Sequence, residues 1–290
     1  MAQTKLPLVN ANINSSQPYA VVTLPQQEMT KNATLEFNNQ RQPILSQINL
    51  ENTLTDVLMN DYTYVSFRAK PSIDLHGVGP FAIDFDKDVR ILGLRQLQGM
   101  VLEQPRLLLL PEADGVNLLG YTMIPNPTIL TLNTGNTSLV LRSGNIILGL
   151  TTVMDLVLIP GNHSYYTRTI LDLRALIFNL PTLLVQQIDS LKQGYMAVNV
   201  TGVDNVSNGQ HLPYFTYALS HLDAPVKIPF VDLLNNTIQP LLQEGIALID
   251  GLDSVLHAIQ TNDLVSLFAG GDLERFFSAL GRLTSGSFLQ

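Results

Sequence analysis

Apolar and polar side chains alternate along much of the first two thirds of the chain. The alternation begins at Tyr62, where every second residue would face the same side of an extended strand. Further short runs of strand character follow at 81–85, 89–92, 106–110, 128–132, 139–141, 146–150 and 154–159. Glycine, proline and asparagine separate these runs at intervals of about 8–12 residues, which is typical of a β-sandwich or a barrel.

The apolar spacing changes to three and four residues in two later regions. Between Leu173 and Leu191 it predicts an amphipathic helix, or two helices joined at Pro181. Beyond residue 232 it predicts a helical tail whose apolar stripe is formed by Leu241, Leu242, Ile246, Leu248, Ile249, Leu252, Leu256 and Ile259. We expect this stripe to pack on the protein's own body, with a cavity or a lipid surface as alternatives. Residues 42–58 fit either a strand or a short helix.

Together these segments predict a mainly β fold of two tandem antiparallel β-sandwich domains, with an inserted helix and a C-terminal helical tail. We place the N-terminal sandwich at residues 1–105 and the C-terminal sandwich, with its inserted helix, at 106–235. The tail then occupies residues 236–290. A length of 290 residues supports two domains, because one ordinary sandwich needs a shorter chain.

Composition narrows the classes of function. Hydrophobic residues make up 46% of the chain and charged residues 14%, so the protein buries much of its surface or keeps an apolar cavity or patch for a partner. The net charge of −8 argues against nucleic acid, because binding a phosphate backbone needs a basic face. Since the sequence has no cysteine, disulfides, thiolate catalysis and cysteine-bound zinc are excluded. No stretch reaches the roughly 18 apolar residues of a transmembrane segment.

The sequence carries seven Asn-x-Ser/Thr sequons, where chance pairing would give about three. Their asparagines are Asn14, Asn32, Asn136, Asn162, Asn199, Asn205 and Asn235. Sequons matter only in the secretory pathway, where they are N-glycosylated. The first eight residues contain no apolar signal-peptide core. A secreted or extracellular glycoprotein is therefore expected on the assumption that a leader has been removed, and the cytoplasm is the alternative.

Three groups of polar and aromatic residues are candidates for a site. The candidate catalytic group consists of His163, Tyr165, Tyr166 and Arg168. Its arginine could pair with an acidic oxygen, and a tyrosine or histidine could move a proton. The candidate ligand-binding residues are Tyr62, Tyr64, Arg68 and Lys70 on one strand face, and Tyr214, Tyr217 and His221, close to His211, on one helix face. A solvated surface or a structural role is the alternative for each group.

Sequence motifs for metals and cofactors are absent. Asp84, Asp86 and Asp88 lack the glycine and glutamate that complete an EF-hand loop. The histidines form no closely spaced pair, and Gly77-Val78-Gly79 lacks the third glycine and the following helix of a dinucleotide loop. We therefore expect no metal site and no cofactor.

Residues 125–172 contain an ordered series of turns and apolar triplets. The series is Pro125-Asn126-Pro127, Leu139-Val140-Leu141, Gly149 and Leu158-Ile159-Pro160-Gly161-Asn162, and Gly209-Gln210-His211-Leu212-Pro213-Tyr214 follows it. It resembles a fungal family known only as a domain of unknown function, whose repeats are similar to the late-embryogenesis-abundant type-2 sandwich. The stretch from Val65 through Leu94 looks like a more diverged first copy.

The resemblance implies two kinds of function. Many members look like membrane-anchored or secreted surface proteins with no assigned activity. Short members resemble the hetero-Diels–Alderases of fungal tropolone–sesquiterpene pathways, which join a tropolone-derived o-quinone methide to a humulene-type alkene. The resemblance carries no catalytic residue over to this chain.

We therefore expect a cofactor-free hetero-Diels–Alderase, a pericyclase of fungal secondary metabolism that joins apolar terpene and tropolone substrates into a meroterpenoid. Such an enzyme holds two reactants in a dry pocket and directs one or two donors at the developing oxyanion. One alternative is a non-catalytic secreted or cell-surface module that binds lipid or another ligand, and another is an unrelated hydrolase or isomerase. An enclosed pocket with an inward Arg, Lys, Tyr or His would favour the enzyme, and a solid core would favour the module. A homodimer is one option for the oligomeric state.

Overall fold

The computed structural model describes residues 4–10, 17–24, 41–70, 72–75, 79–108 and 110–243, together with five single positions beyond residue 243. The chain forms two compact units, Met1–Arg95 and Gln96–Gln290, which we call the N-terminal and C-terminal units. The division into parts at residues 105 and 235 stays a prediction.

The N-terminal unit contains a four-stranded antiparallel sheet in the order β2-β1-β3-β6. Its elements are β1 (Thr4–Asn10), β2 (Ala20–Leu24), α1 (Gln47–Met59), β3 (Tyr62–Ala69), a hairpin of β4 (Ser72–Leu75) and β5 (Gly79–Ala82), and β6 (Phe85–Leu92). Ser46 caps α1, since its hydroxyl accepts a hydrogen bond from the Asn49 backbone N–H. The segment that fitted both a strand and a helix is therefore mostly helix, and it buries Val57 and Leu58.

The C-terminal unit is a seven-stranded mixed β-barrel. Its strands are β7 (Met100–Leu107), β8 (Leu118–Asn126), β9 (Leu132–Ser143), β10 (Ile146–Leu158), β11 (Gly161–Leu171), β12 (Tyr195–Ser207) and β14 (Ala224–Pro229), and the short β13 (Gln210–His211) extends β12 as a hairpin. The ring runs β7-β8-β11-β10-β9-β12-β14 and returns to β7. It closes because β12 pairs with β9 on one side and with β14 on the other.

The mainly β class is confirmed, but the arrangement of the strands differs from the predicted pair of antiparallel sandwiches. The described residues form a small antiparallel sheet and a closed barrel, and β14 lies parallel to β7. The parallel pairing arises because α4 (Pro213–Ser220) precedes β14 and the chain re-enters at the barrel end where β7 also begins. Closure gives every strand of the ring two neighbours, which removes the free edges that two open sheets would leave.

Alternating side chains of the barrel strands fill its interior. Met100, Leu148, Val153 and Val198 are almost fully buried, as period two requires of the inward positions. Threonines share this interior as hydroxyl pairs at 2.7 Å, Thr122 with Thr167 and Thr151 with Thr169. The pairing satisfies polar groups that water does not reach.

Helices cover one end of the barrel, which we call the helix end. They are α2 (Leu173–Phe178), α3 (Leu180–Leu191) and α5 (Phe230–Gln243). The predicted inserted helix is thus two helices, with Pro181 in the first turn of α3. The predicted helical tail begins with α5, and most of residues 244–290 lie outside the described residues. Within the described ranges, no helix combines the length and apolar character needed to cross a bilayer.

Candidate functional site

A half-open cleft of about 350 Å³ lies at the barrel end opposite α2, α3 and α5. Its walls come from β9, β10 and the β12–β13 hairpin, and its lining residues are Asn133, Gly135, Asn136, Asp155, Val157, Val206, Ser207, Asn208 and Gly209. This volume is within the usual range for small-molecule sites. The cleft is therefore a candidate ligand-binding site.

A β-bulge in β10 shapes one wall of the cleft. The register between β10 and β9 shifts between Val153 and Leu156, so Asp155 has no directly opposed partner. Its backbone has a positive φ of 46°, and its N–H donates to Asn136 Oδ1 at 2.9 Å. The bulge leaves the Asp155 carboxylate exposed at the cleft.

The opposite wall is the hairpin turn at Asn208-Gly209, where both residues have positive φ. An Asn-Gly pair between two strand segments is a strong hairpin signal in a sequence. This signal and the polar residues near 133–136 were the features that could have located the cleft. None of the three predicted residue groups contained the residues that line the cleft. Asn136 was singled out only as a sequon asparagine.

The lining of the cleft is mostly amide, hydroxyl, carboxylate and backbone groups, with Val157 and Val206 as its apolar members. Arginine, lysine, tyrosine and histidine are missing from this set. Such a lining can exchange hydrogen bonds with a polar ligand that carries several hydroxyl or amide groups. It does not resemble the apolar pocket with inward cationic or phenolic groups that the cycloaddition hypothesis requires.

The candidate catalytic residues all lie on β11, but they face two different sides of it. His163 and Tyr165 share one side of the strand, and Tyr166 and Arg168 the other, because strand side chains alternate. Tyr165 Oη donates to the Val157 carbonyl at 2.5 Å, and His163 Nε2 lies 3.0 Å from the Pro160 carbonyl oxygen. Burial raises the pKa of the Tyr165 phenol above its ordinary value. The structure therefore brings these four residues together only as two separate pairs.

Tyr166 and Arg168 face outward and belong to a cluster of aromatic and charged side chains on the barrel surface. The Tyr166 ring lies 5.7 Å from that of Tyr121 on β8. Arg168 forms ion pairs with Glu112 and, at 3.0 Å, with Asp114. The hydrogen bond that the Arg168 guanidinium donates to the Glu112 carboxylate is the main reason that the pKa of Arg168 is raised. This guanidinium is already engaged by two carboxylates of its own chain.

The β3 group in the N-terminal unit shares one strand face, as the alternation predicts. Its cations face carboxylates on and just before β6: Arg68 pairs with Asp86 and Asp88, and Lys70 with Asp84 at 2.9 Å. The ring of Tyr62 lies 3.7 Å beneath the guanidinium carbon of Arg90, and both Tyr62 and Tyr64 are exposed. The three aspartates thus serve as partners for arginine and lysine.

The α4 group is only partly assembled on a common helix face. The rings of Tyr217 and His221 lie 4.7 Å apart, and His221 Nδ1 is 2.9 Å from the Tyr217 carbonyl oxygen. Tyr214 contacts Phe215 instead, with ring centroids 5.2 Å apart. His211 lies on β13, 3.0 Å from an Asp204 carboxylate oxygen. A ligand-binding role for these residues stays a prediction.

The sequons differ in how accessible their asparagines are. Asn162 and Asn235 are exposed, and Asn136 and Asn199 are half-buried. Asn205 has an exposed fraction of 0%, and its Nδ2 donates to Thr137 Oγ1 at 2.8 Å. A glycan on Asn205 would break this bond and open the barrel, so this position is a poor acceptor. Asn14 and Asn32 lie outside the described residues.

Comparison with known proteins identifies one family. Residues 17–141, less than half of the chain, match the family described as "Protein of unknown function (DUF3712)". No curated protein and no solved structure matches. The match supports this family over residues 17–141 and nothing more specific, and the quoted segments from Gly149 onward, on which the resemblance also rested, lie outside it. Among the described residues, no three histidine, aspartate or glutamate side chains are placed to hold a metal ion.

Proposed function

We propose that this protein is a non-catalytic binding module that takes a polar, hydroxyl-rich small ligand, such as a sugar, in the cleft at the barrel end opposite α2, α3 and α5. The observation that carries this proposal is the composition of the cleft wall, where Asn133, Asp155 and Asn208 offer amide and carboxylate groups. A sugar hydroxyl both donates and accepts, which matches a wall that mixes these groups. Val157 and Val206 give the apolar contact that a sugar ring also needs.

A binding role also agrees with how the rest of the barrel uses its residues. Inward positions carry packed aliphatic side chains and paired threonines, and the phenol and imidazole of Tyr165 and His163 have backbone partners. Arg168 in the barrel is paired with carboxylates, and so are Arg68 and Lys70 in the N-terminal unit. The groups that a cycloaddition enzyme would direct at a reacting oxygen therefore have partners within the chain.

Ligand titration of the full chain tests this proposal. Neutral hexoses, amino sugars and short oligosaccharides are screened by ligand-observed NMR, and binders are titrated by calorimetry. Asp155→Asn keeps a residue type that tolerates positive φ and removes the charged acceptor. It is expected to weaken binding by about 10-fold to 100-fold, because a hydrogen bond to a charged group contributes about 1.5–3 kcal/mol.

Asp189→Asn is the matched control, since it makes the same chemical change on α3, at the opposite end of the barrel. It should leave the affinity unchanged. Equal losses in both variants, or no binding by any member of the panel, would overturn the assignment of the cleft.

The secretory pathway is part of this proposal, with the exposed sequons Asn162 and Asn235 as supporting features. A secreted module with glycans at these positions would keep its cleft accessible, since neither residue lines it.

The second candidate is the hetero-Diels–Alder reaction suggested by resemblance to the short fungal enzymes. One observation favours it: Tyr166 and Arg168 lie on the outer barrel face with the exposed cross-strand pair Leu150 and Ile170. In this candidate the Tyr166 phenol would donate to a tropolone oxygen and the apolar pair would contact the terpene chain, while Arg168 would bind only after releasing Glu112 or Asp114.

Incubation with a humulene-type alcohol and a tropolone alcohol separates the two candidates. If the protein is a binding module, adduct forms only at the spontaneous rate, with or without protein. A rate above this background that falls in Tyr166→Phe would instead establish the pericyclase and refute a purely binding role.

A further inference from the structure

Among the residues that line the cleft, Asp155 alone carries a charge. The two β9 asparagines of the lining already use their amide oxygens within the chain: Asn133 Oδ1 accepts from the Gly135 N–H at 3.1 Å, and Asn136 Oδ1 from the Asp155 N–H at 2.9 Å. The second bond holds the bulge at which the Asp155 carboxylate is exposed. A ligand in the cleft therefore meets one negatively charged acceptor whose backbone is fixed.

The positive side chains of the barrel strands are concentrated at the opposite end. The described strands carry four lysine or arginine residues, and all four lie toward the helix end: Arg106, Arg142, Arg168 and Lys227. Arg106 precedes Leu107, whose N–H donates to a threonine of α5 at 3.2 Å. Arg142 precedes Ser143, whose hydroxyl accepts from Gln187 of α3 at 2.9 Å. Both arginines are therefore placed beside the helices that cover that end.

Lys227 and Arg168 are placed in the same way. Lys227 lies opposite Ala197, whose N–H donates to a side chain of α3 at 2.8 Å. Arg168 lies opposite Thr152, three residues or about 10 Å before Asp155 along β10. Its guanidinium is engaged by two carboxylates of the β7–β8 connection. In the described part of the chain, no strand lysine or arginine therefore neutralises Asp155.

The hairpin wall of the cleft supplies no counter-charge either. Its one basic side chain, His211, lies 3.0 Å from a carboxylate oxygen of Asp204. The net charge of −8 adds a general attraction for cations. Among the described residues, the cleft thus offers a carboxylate without an ion-pair partner in an acidic protein, which favours a positively charged ligand.

We propose that the ligand of this cleft carries a protonated amine, as an amino sugar does, and that its ammonium group binds the Asp155 carboxylate. This inference rests on the proposed function, since it names the class of ligand for the same cleft. An ammonium group offers three donors and no acceptor, and its hydrogen bond to a carboxylate is stronger than that of a neutral hydroxyl. The same carboxylate repels an acidic sugar.

Three sugars of similar size test the preference for charge: glucosamine, glucose and glucuronic acid. Glucosamine and glucose differ only in the ammonium or hydroxyl group at one carbon, and at about pH 6 the amine is protonated. Each sugar is titrated into the full chain by NMR at low salt. Glucosamine is expected to bind about fivefold more tightly than glucose, and glucuronic acid more weakly than glucose, because the charge pair in a half-open cleft is only partly screened. About 1 M salt should reduce this preference, since the Debye length falls to about 3 Å.

Asp155→Asn is expected to bring the three affinities to within about twofold of one another, because it removes the charge that distinguishes the sugars. Asp189→Asn is the control, since it changes the net charge by the same amount at the helix end and should keep the preference. Equal binding of glucosamine and glucose by the unaltered protein would overturn the amine preference and leave the binding module standing. A preference that persists in Asp155→Asn, or is lost equally in Asp189→Asn, would overturn the role of Asp155. If no neutral or amine-bearing sugar of the wider panel binds, both this inference and the proposed function fail.

Discussion

Replacing Gly135 by alanine is expected to destabilise the C-terminal unit by about 3 kcal/mol and to lower its melting temperature by about 10 °C. Gly135 has a positive φ of 66°, and a Cβ there would lie 2.3 Å from the Val206 carbonyl oxygen and 2.8 Å from Ser207 Cα. Both contacts are backbone atoms of β12, so the strand itself must move. The displacement disrupts the β9–β12 pairing that closes the barrel. Thermal unfolding followed by circular dichroism measures the resulting fall in melting temperature.

Gly209→Ala is the matched variant for this experiment. Gly209 also has a positive φ, 76°, and also lines the cleft, but a Cβ there meets nothing within 4 Å. It should lower the free energy of unfolding by only about 1–2 kcal/mol, the cost of a left-handed backbone for a residue that carries a Cβ. A similar melting temperature for the two variants would show that close approach of β9 and β12 does not limit the stability of the barrel.

Most strands could be predicted from the sequence, whereas their arrangement could not. Alternation at β3 and the apolar runs within β9 and β10 are local patterns, and they report which side chains face a core. Closure depends on pairs such as Val200 with Leu141, which are far apart in sequence. A period of two gives the same pattern in a sandwich and in a barrel, so local spacing did not distinguish these two folds.

The candidate sites were predicted from residue type, which ignores direction. Tyr165 and Tyr166 are neighbours in sequence and therefore face opposite sides of a strand. Once β11 was recognised as extended, this separation followed from the sequence. The ion pairs of Arg68 depend on the register between β3 and β6, across the intervening β4–β5 hairpin. That register is set by tertiary packing and does not appear in composition.

The cleft was the least predictable feature, because its shape comes from exceptions to regular structure. The bulge at Asp155 adds one residue to β10 and turns a carboxylate toward the cleft. The sequence shows only a single aspartate within an apolar run. The Asn208-Gly209 turn is recognisable in the sequence. The strands that it faces depend on closure of the barrel, which local sequence patterns do not show.

Replacing Gln187 by methionine is the second change with a large expected effect. Gln187 lies on α3 and is buried. Its side-chain amide forms hydrogen bonds with the Ala197 backbone, as a neighbouring strand would. Its Oε1 accepts from the Ala197 N–H at 2.8 Å, and its Nε2 donates to the Ala197 carbonyl at 2.6 Å and to Ser143 Oγ at 2.9 Å. The pairing of β9 with β12 stops at Arg142 and Asn199, so this amide continues the ladder beyond the end of β9.

Methionine matches the length of glutamine and can make none of these bonds. The free energy of unfolding should fall by about 2–4 kcal/mol, since each unsatisfied partner costs about 1–3 kcal/mol. Denaturant unfolding gives this difference, and hydrogen exchange locates it, because the Ala197 amide should lose at least tenfold protection. Gln193→Met is the control: Gln193 is exposed and donates to the Asp189 carbonyl, so it should change stability by less than about 0.5 kcal/mol. Unaltered Ala197 exchange in Gln187→Met would mean that water replaces the amide at no cost and that the barrel is held closed without help from α3.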